Sequence, residues 1–447
     1  MSDITIVKGN DVSPDFFEPR TLASDVHDIV QGILDDVKHR GDEALHEMSR
    51  KFDQAAPENL AIGKEALKAC AEKLEKENPD LYQALSFTYS LTYGFAKKQR
   101  ECFTDFETEL VPGLITGQKT IPVERAGLYA PAGRFPLFST LIMCAAPAKA
   151  AGVSELVMCT PPRKHPSGDD KLPWADENIL AAAYICGVDT VFACGGAQAV
   201  AAMAYGTASI PKVDVIVGPG NKFVTEAKRI LYGQVGIDFV AGPTEAFIIA
   251  DDTANPAWVA ADLLAQAEHD PDAQAVMVTC SEKLAEAVAA EVDKQLSVLP
   301  TAETARESIK RNGRIILADS LFQAVDIANR KAPEHLEIAM DPGTNMDYVM
   351  SKAHNYGTLF IGHHAAEVLG DYAAGLNHVL PTSGSARFTG GLSVRNFIKT
   401  VTTLRTEQDP HGALYEGVVK SAQTAVILGE TEGLIAHSRA AAIRLQG

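Results

Sequence analysis

Residues 189–206 and 213–233 read DTVFACGGAQAVAAMAYG and VDVIVGPGNKFVTEAKRILYG, and their reading decides the fold class. Each opens with a short apolar run, breaks at glycine, and continues with apolar residues at helical spacing. A strand that passes through a glycine turn into a helix, twice in succession, predicts βα units and a parallel sheet covered on both faces. The same texture extends outward on both sides. Upstream lie RAGLYAP (125–131), PLFSTLIMCAAPAKAAG (136–152), ELVMCTPP (155–162) and ENILAAAYICG (177–187). Downstream lie the runs EAFIIAD (245–251), AQAVMVTCS (273–281), GRIILAD (313–319), HLEIAM (335–340) and GTLFIG (357–362), separated by helical stretches such as the one that Asn255 caps and Pro256 opens. The chain therefore reads as α/β with two blocks of parallel sheet. Its first ~110 residues and last ~60 read as helical, and the charged stretch 163–177 reads as a surface insertion.

Composition narrows the partners. A chain of 447 residues exceeds what one hydrophobic core usually holds. A net charge of -18 argues against nucleic acid and anionic membranes as partners and leaves diffusible small molecules. The seven cysteines are scattered without a CxxC pair, the pattern of a reducing compartment, and no segment is apolar over the length of a membrane helix. A cytoplasmic location is expected.

Turns after the strands supply the first site candidates. APAGR, CTPP, CGGAQ and GPGN stand at four successive strand ends, the edge at which open α/β sheets bind ligands and at which glycine lets a helix N-terminus approach phosphate. No GxGxxG is present, so a dinucleotide and ordinary βα loop chemistry both fit.

Three further stretches carry polar groups out of apolar surroundings. In DLLAQAEHDPD (262–272), Asp262, Gln266 and His269 share one helix face near its end, which suits a metal or a simple exit to solvent. In APEHLEI (332–338), Glu334 and His335 follow Pro333 at a helix-to-strand turn and pair a carboxylate with an imidazole, the groups of acid/base chemistry or of a solvated turn. Adjacent residues of a regular strand point oppositely, so both serve one site only where that turn is irregular. In GDYAAGLNHVLPT (370–382), Asp371 is a candidate oxygen ligand or a turn aspartate, with His378 close by. Beyond it, residues 383–405 carry Arg387, Arg395, Lys399 and Arg405 and no acidic residue, which suits an anion or surface ion pairs.

RAGLYAPAG, CGGAQAVAAMAYG, GPGNKFVTEAKR, AGPTE, AQAEHDPD, APEHLEI, GDYAAGLNHVLPT and GLIAH, in that order, resemble the histidinol dehydrogenase superfamily from about residue 20 onward. The resemblance implies two Rossmann-like domains in an intertwined homodimer. Their bounds would be an N-terminal arm 1–23, a first domain of 24–122 and 245–382, a second, NAD-binding domain of 123–244, and a C-terminal helical segment 383–447 exchanged with the partner. It further implies that Gln266, His269, Asp371 and, from the partner copy, His437 bind zinc, and that Glu334 and His335 are the acid/base pair. Tyr129, Gln198 and Asn221 would contact NAD, and Thr244, His378 and Glu432 the substrate. The reaction implied is oxidation of a primary alcohol to a carboxylate in two NAD-dependent steps.

Within the superfamily, YAPAGRF, GPGNKFVTEAKRILYGQVGID and ARFTGGLSVRNFIKT look closer to the branch that oxidises (R)-2,3-dihydroxypropane-1-sulfonate than to the branch that oxidises L-histidinol. Arg134 and Arg387 would favour the anionic sulfonate. Tyr372, Thr244, Asp270 and the 163–177 insertion depart from that pattern. A ligand-binding protein of the same fold without catalysis is the alternative class.

Overall fold

A computed structural model describes residues 2–20, 26–53, 55, 57–132, 136–165, 167–168, 172–411 and 413–445. It divides into two compact units, Met1–Lys97 with Glu124–Phe397 and Lys98–Val123 with Ile398–Gly447.

The larger unit is built on two six-stranded sheets with one design. In the first, Arg125–Tyr129, Glu155–Thr160, Thr190–Ala193, Val215–Val217 and Gly236–Ile237 run parallel, with the strand first in sequence among them in the middle and the order reversing beside it. In the second, Glu245–Ala250, Gln274–Thr279, Arg314–Leu317, His335–Ala339 and Thr358–Ile361 repeat that order. Both are doubly wound, Rossmann-like sheets. An early segment lengthens each outer edge: Ala61–Ile62 joins the 125–237 sheet antiparallel, and Thr5–Lys8 joins the 245–361 sheet parallel.

The strands are continuous apolar runs because helices cover both faces. In Glu245–Ala250 every residue is buried. Ile248 and Ala250 enter one core with Leu263, Leu264 and Val288, while Phe247 and Ile249 enter the opposite core with Val325 and Met346. The helix Pro256–Ala267 starts where the sequence predicts it, with the Asn255 side chain accepting the Ala257 N–H at 2.9 Å and Pro256 in the first turn.

Residues 26–62 pack differently from the grouping with 245–382. The helix His27–Arg40 lies against Gly196–Tyr205 and Lys222–Leu231, and its buried Val30, Leu34 and Val37 join the core of the 125–237 sheet. Helical periodicity shows that one face must be buried but not which sheet it covers. Between Thr160 and the helix Glu177–Ile185 the described residues belong to no helix or strand.

The smaller unit differs from an all-helical expectation for the chain's ends. Phe106–Val111, Leu114–Pro122 and Ile398–Thr406 form an antiparallel sheet of three strands, and helices Glu416–Thr431 and Ile435–Ala442 pack on each other. The signal was the β-branched alternation of TVTTLRT (400–406), which favours a pleated surface over a helix. Among the described residues, no helix is long and apolar enough to cross a membrane.

Replacing Asn255 with Ala removes the cap of the helix that delivers Gln266. A loss of about 1 kcal/mol in unfolding free energy by urea titration is expected, and an unchanged value would show that the helix start is held by other means.

Candidate active site

Two opposite sheet edges meet at one cavity of about 200 Å³. The 125–237 sheet presents its carboxyl edge, including Gly218 and Pro219; the 245–361 sheet presents its amino edge, including Thr244, Glu334 and His335. Glu245 and His335 open neighbouring parallel strands on either side of the point where the strand order reverses.

The turn before His335 is irregular, as a shared site requires. The helix Leu321–Lys331 ends on Ala332 in the left-handed region, at φ 51°, and Pro333 then carries the chain to Glu334 before the strand begins. Glu334 accepts the Thr244 hydroxyl at 2.5 Å and the Glu245 N–H at 2.9 Å. His335 Nδ1 lies 3.2 Å from the Glu245 carbonyl oxygen, which fixes the proton on Nδ1 and leaves Nε2 facing Asp371, 3.6 Å from Oδ1. One residue's backbone thus holds both side chains.

The surroundings are strongly acidic. Burial raises the Glu334 carboxyl to about 7 against the lowering pull of His335. Burial favours a neutral His335 ring, yet Glu367, Glu334 and Asp371 outweigh it and push the ring up to about 10. Glu367 is buried and raised to about 8 by desolvation. Burial also raises the Asp262 and Glu337 carboxyls, and the charge of Asp262 raises Glu337 further. Burial opposes the Asp371 carboxylate, but the nearby His335 ring and its charge hold it below the ordinary aspartate range. His378 is kept neutral by burial, with Nδ1 3.0 Å from the Asp371 carbonyl and Nε2 3.2 Å from the Thr140 hydroxyl.

This donor set fits a divalent cation. Gln266 is fully buried and neither its amide oxygen nor its nitrogen has a partner, an arrangement that a metal or an ordered water must complete. Its helix packs against Glu367–Tyr372, which carries Asp371, and His269 lines the cavity. An imidazole facing several carboxylates serves as a base near neutrality only where a positive charge offsets their field. Ligand atoms of His335, Glu367 and Asp371 also lie within 4.8 Å of one another, a cluster that shares only Asp371 with the zinc set expected from sequence.

The dinucleotide candidates sit at adjoining strand ends. Tyr129 is buried, and its hydroxyl accepts the Gly196 N–H at 3.0 Å. Gln198 is buried in the first turn of the helix that follows. Asn221 caps the helix Lys222–Leu231, its side-chain oxygen accepting the Phe223 and Val224 N–H groups at 3.0 and 3.2 Å, which leaves its amide nitrogen outward. Gly218, at φ 118°, leaves no room for a side chain, since a Cβ would stand 2.2 Å from the Tyr129 carbonyl oxygen. Lys228 donates to its carbonyl at 3.0 Å while Asp238 accepts its N–H at 2.8 Å, and the two are themselves a buried ion pair.

Other candidates lie apart. Arg387 is exposed, donates to the Arg330 carbonyl, and lines a neighbouring cavity of about 770 Å³ with Arg20, His27 and Arg229. Arg134 lies outside the described residues. Glu432 and His437 are exposed in the smaller unit. Sequence reasoning missed Glu337 and Glu367, although spacing held the signal: Glu337 falls on the strand face of His335, and Glu367 one helical turn before Asp371. Lys228, Asp238 and Lys331 gave none, because a charged residue does not announce its burial.

The fold and the site define an α/β protein with buried carboxylates and an imidazole gathered where the edges of two doubly wound sheets meet. Residues 18–445 match the family model described as histidinol dehydrogenase. The chain is 43% identical to histidinol dehydrogenase of Streptococcus mutans over 94% of its length and 93% of that protein's. It is also 43% identical to that of Thermus thermophilus, over 96% and 97%. The crystal structure of histidinol dehydrogenase from Elizabethkingia anophelis superposes with a TM-score of 0.88 at 32% identity, covering 100% of this chain and 99% of that one. The chain belongs to the histidinol dehydrogenase family.

A base must be deprotonated, so with Glu334 near 7 the hydration of an aldehyde should slow as pH falls through about 7. NADH formation from the aldehyde between about pH 6 and 8 reads this. A flat profile would remove Glu334 from that step.

Proposed function

We propose that the chain is an NAD- and zinc-dependent dehydrogenase that oxidises L-histidinol through its aldehyde to the carboxylate. The observation that carries the reaction class is the convergence of Glu334 and His335 on one cavity through the backbone of Glu245. The observation that favours this substrate is charge: Glu334 and Asp371 line the cavity, Glu367 lies buried beside His335, and this acidic setting suits a cationic amine. The sulfonate reading loses ground, because Arg387 is turned to a backbone carbonyl in the neighbouring cavity.

When bound, NAD accepts each hydride, and the metal supplies positive charge that orients the alcohol oxygen. His335 Nε2 takes the hydroxyl proton as the carbon loses hydride. Glu334 then takes a proton from the water that hydrates the aldehyde, and His335 deprotonates the hydrate for the second hydride loss. One alcohol and one water yield a carboxylate, two NADH and three protons. Thr244 holds the Glu334 carboxylate in place, and His378, fixed between Thr140 and Asp371, offers a neutral ring to the substrate. Gln266, His269 and Asp371 would hold the metal. Tyr129, Gln198 and Asn221 would shape the dinucleotide side. Glu432 and His437 would complete the site of a second copy in a homodimer.

Run to completion, the zinc-loaded protein should give two NADH per L-histidinol and none from (R)-2,3-dihydroxypropane-1-sulfonate. Two from the sulfonate alone would reverse the substrate assignment. His335→Asn should lower NADH formation by roughly 100-fold or more while zinc content is kept; turnover near the wild-type rate would displace His335 as base. Mixing inactive His437→Ala and His269→Ala dimers should restore one site per heterodimer. No recovery after verified exchange would show that each site is complete within one chain.

A further inference from the structure

We propose that the buried Lys331–Glu245 ion pair is the positioning device that turns Glu334 and His335, neighbours in sequence, toward the same reacting atoms; this rests on the acid/base reading above. Lys331 Nζ lies 3.0 Å from Glu245 Oε1, with the two side chains 3% and 2% exposed. Lys331 is the last residue of its helix, three before Glu334, and Glu245 is the first residue of its strand. The Glu245 carboxylate, buried with neither oxygen hydrogen-bonded among the described residues, faces the Lys331 ammonium as an ion pair at the start of the Lys331–Glu334 turn, while its N–H holds the Glu334 carboxylate at the end. Its carbonyl meanwhile takes His335.

The far side of the turn is pinned independently. The Pro333 carbonyl accepts the Gly357 N–H, and the Glu334 carbonyl the Thr358 N–H, each at 3.0 Å. Gly357 is required there, because a Cβ would come within 2.5 Å of the Glu334 carbonyl oxygen. Those bonds fix the backbone on one side only. On the other, Ala332 stands at φ 51° with its N–H donated to the Ala328 carbonyl at 2.8 Å, and the Lys331 side chain adds the tie to the strand of Glu245. Lys331 reaches Glu245 under cover, its Nζ 5.4 Å from the centre of the Phe16 ring. A burial this complete is costly for two charges, and a well-packed apolar pair would support the helix end equally well. The pair therefore has the character of a registry device: it specifies which turn conformation forms.

The test separates positioning from support. Lys331→Met, Glu245→Met and the double variant are compared with the wild type for kcat, KM for NAD, zinc content and urea midpoint, and the double variant is crystallised. Each single change strands an unmatched buried group and lowers the midpoint; the double change removes that penalty. The expected result is a double variant with wild-type midpoint, zinc content and KM for NAD, but kcat reduced roughly 100-fold, the scale of a displacement of about 1 Å in a reacting group. Its crystal structure should show the Glu334 carboxylate released from the Glu245 N–H. A double variant with wild-type kcat, or with the 331–334 turn unmoved, overturns the proposal. Should the single variants fail to fold, the double variant decides alone. Absence of wild-type turnover would count against the acid/base reading, while the crystal structure would still report whether the pair sets the turn.

Discussion

The site depends on the backbone of one residue. Glu245 gives its N–H to Glu334 and its carbonyl to His335, so two side chains that a regular strand would send to opposite faces are drawn to one cavity. The arrangement is available because Glu245 and His335 open adjacent parallel strands in register, Ala246 facing His335 across the ladder. A slip of one residue would turn His335 into the wrong face and leave Glu334 without its donors.

Both sheets repeat one strand order, yet they serve the site from opposite edges. The carboxyl edge of the 125–237 sheet offers glycine turns and a fixed Gly218, features that suit a dinucleotide. The amino edge of the 245–361 sheet offers strand starts whose first N–H and carbonyl groups are not consumed by the ladder. They remain to orient side chains. Charge then sets the chemistry: Glu334, Glu367 and Asp371 surround a single imidazole, and a metal at Asp371 and the unpartnered Gln266 amide would bring that field into balance.

The fold class was legible because a covered parallel sheet writes continuous apolar runs, and VDVIVGPGNKFVTEAKR contains strand, turn and helix in order. The helix start at Asn255–Pro256 was legible through local chemistry, whereas the irregular turn around Pro333 was a condition that a shared site imposed and that the sequence did not show. The strands at 106–122 and 398–406 were harder to read, because β-branched polar residues without an apolar run give a weaker signal than the strands of a covered parallel sheet. Burial was the other blind spot. Lys228, Asp238, Glu245, Lys331 and Glu367 look like surface charges in sequence, and only long-range packing brings them inside. Arg387 failed in the opposite sense: its charge is real, but the loop directs it to the Arg330 carbonyl.

The central claim is that the metal and the acid/base pair share the cavity where the two sheet edges meet. Anomalous diffraction at the zinc edge, on crystals grown with zinc and NAD, tests it most directly. The account predicts one peak per chain, at about 2.0–2.2 Å from the Gln266 and Asp371 side-chain oxygens, with the nicotinamide against Gly218 and Pro219. Zinc held by Glu367 and His335, with the Gln266 amide left unbound, would contradict it.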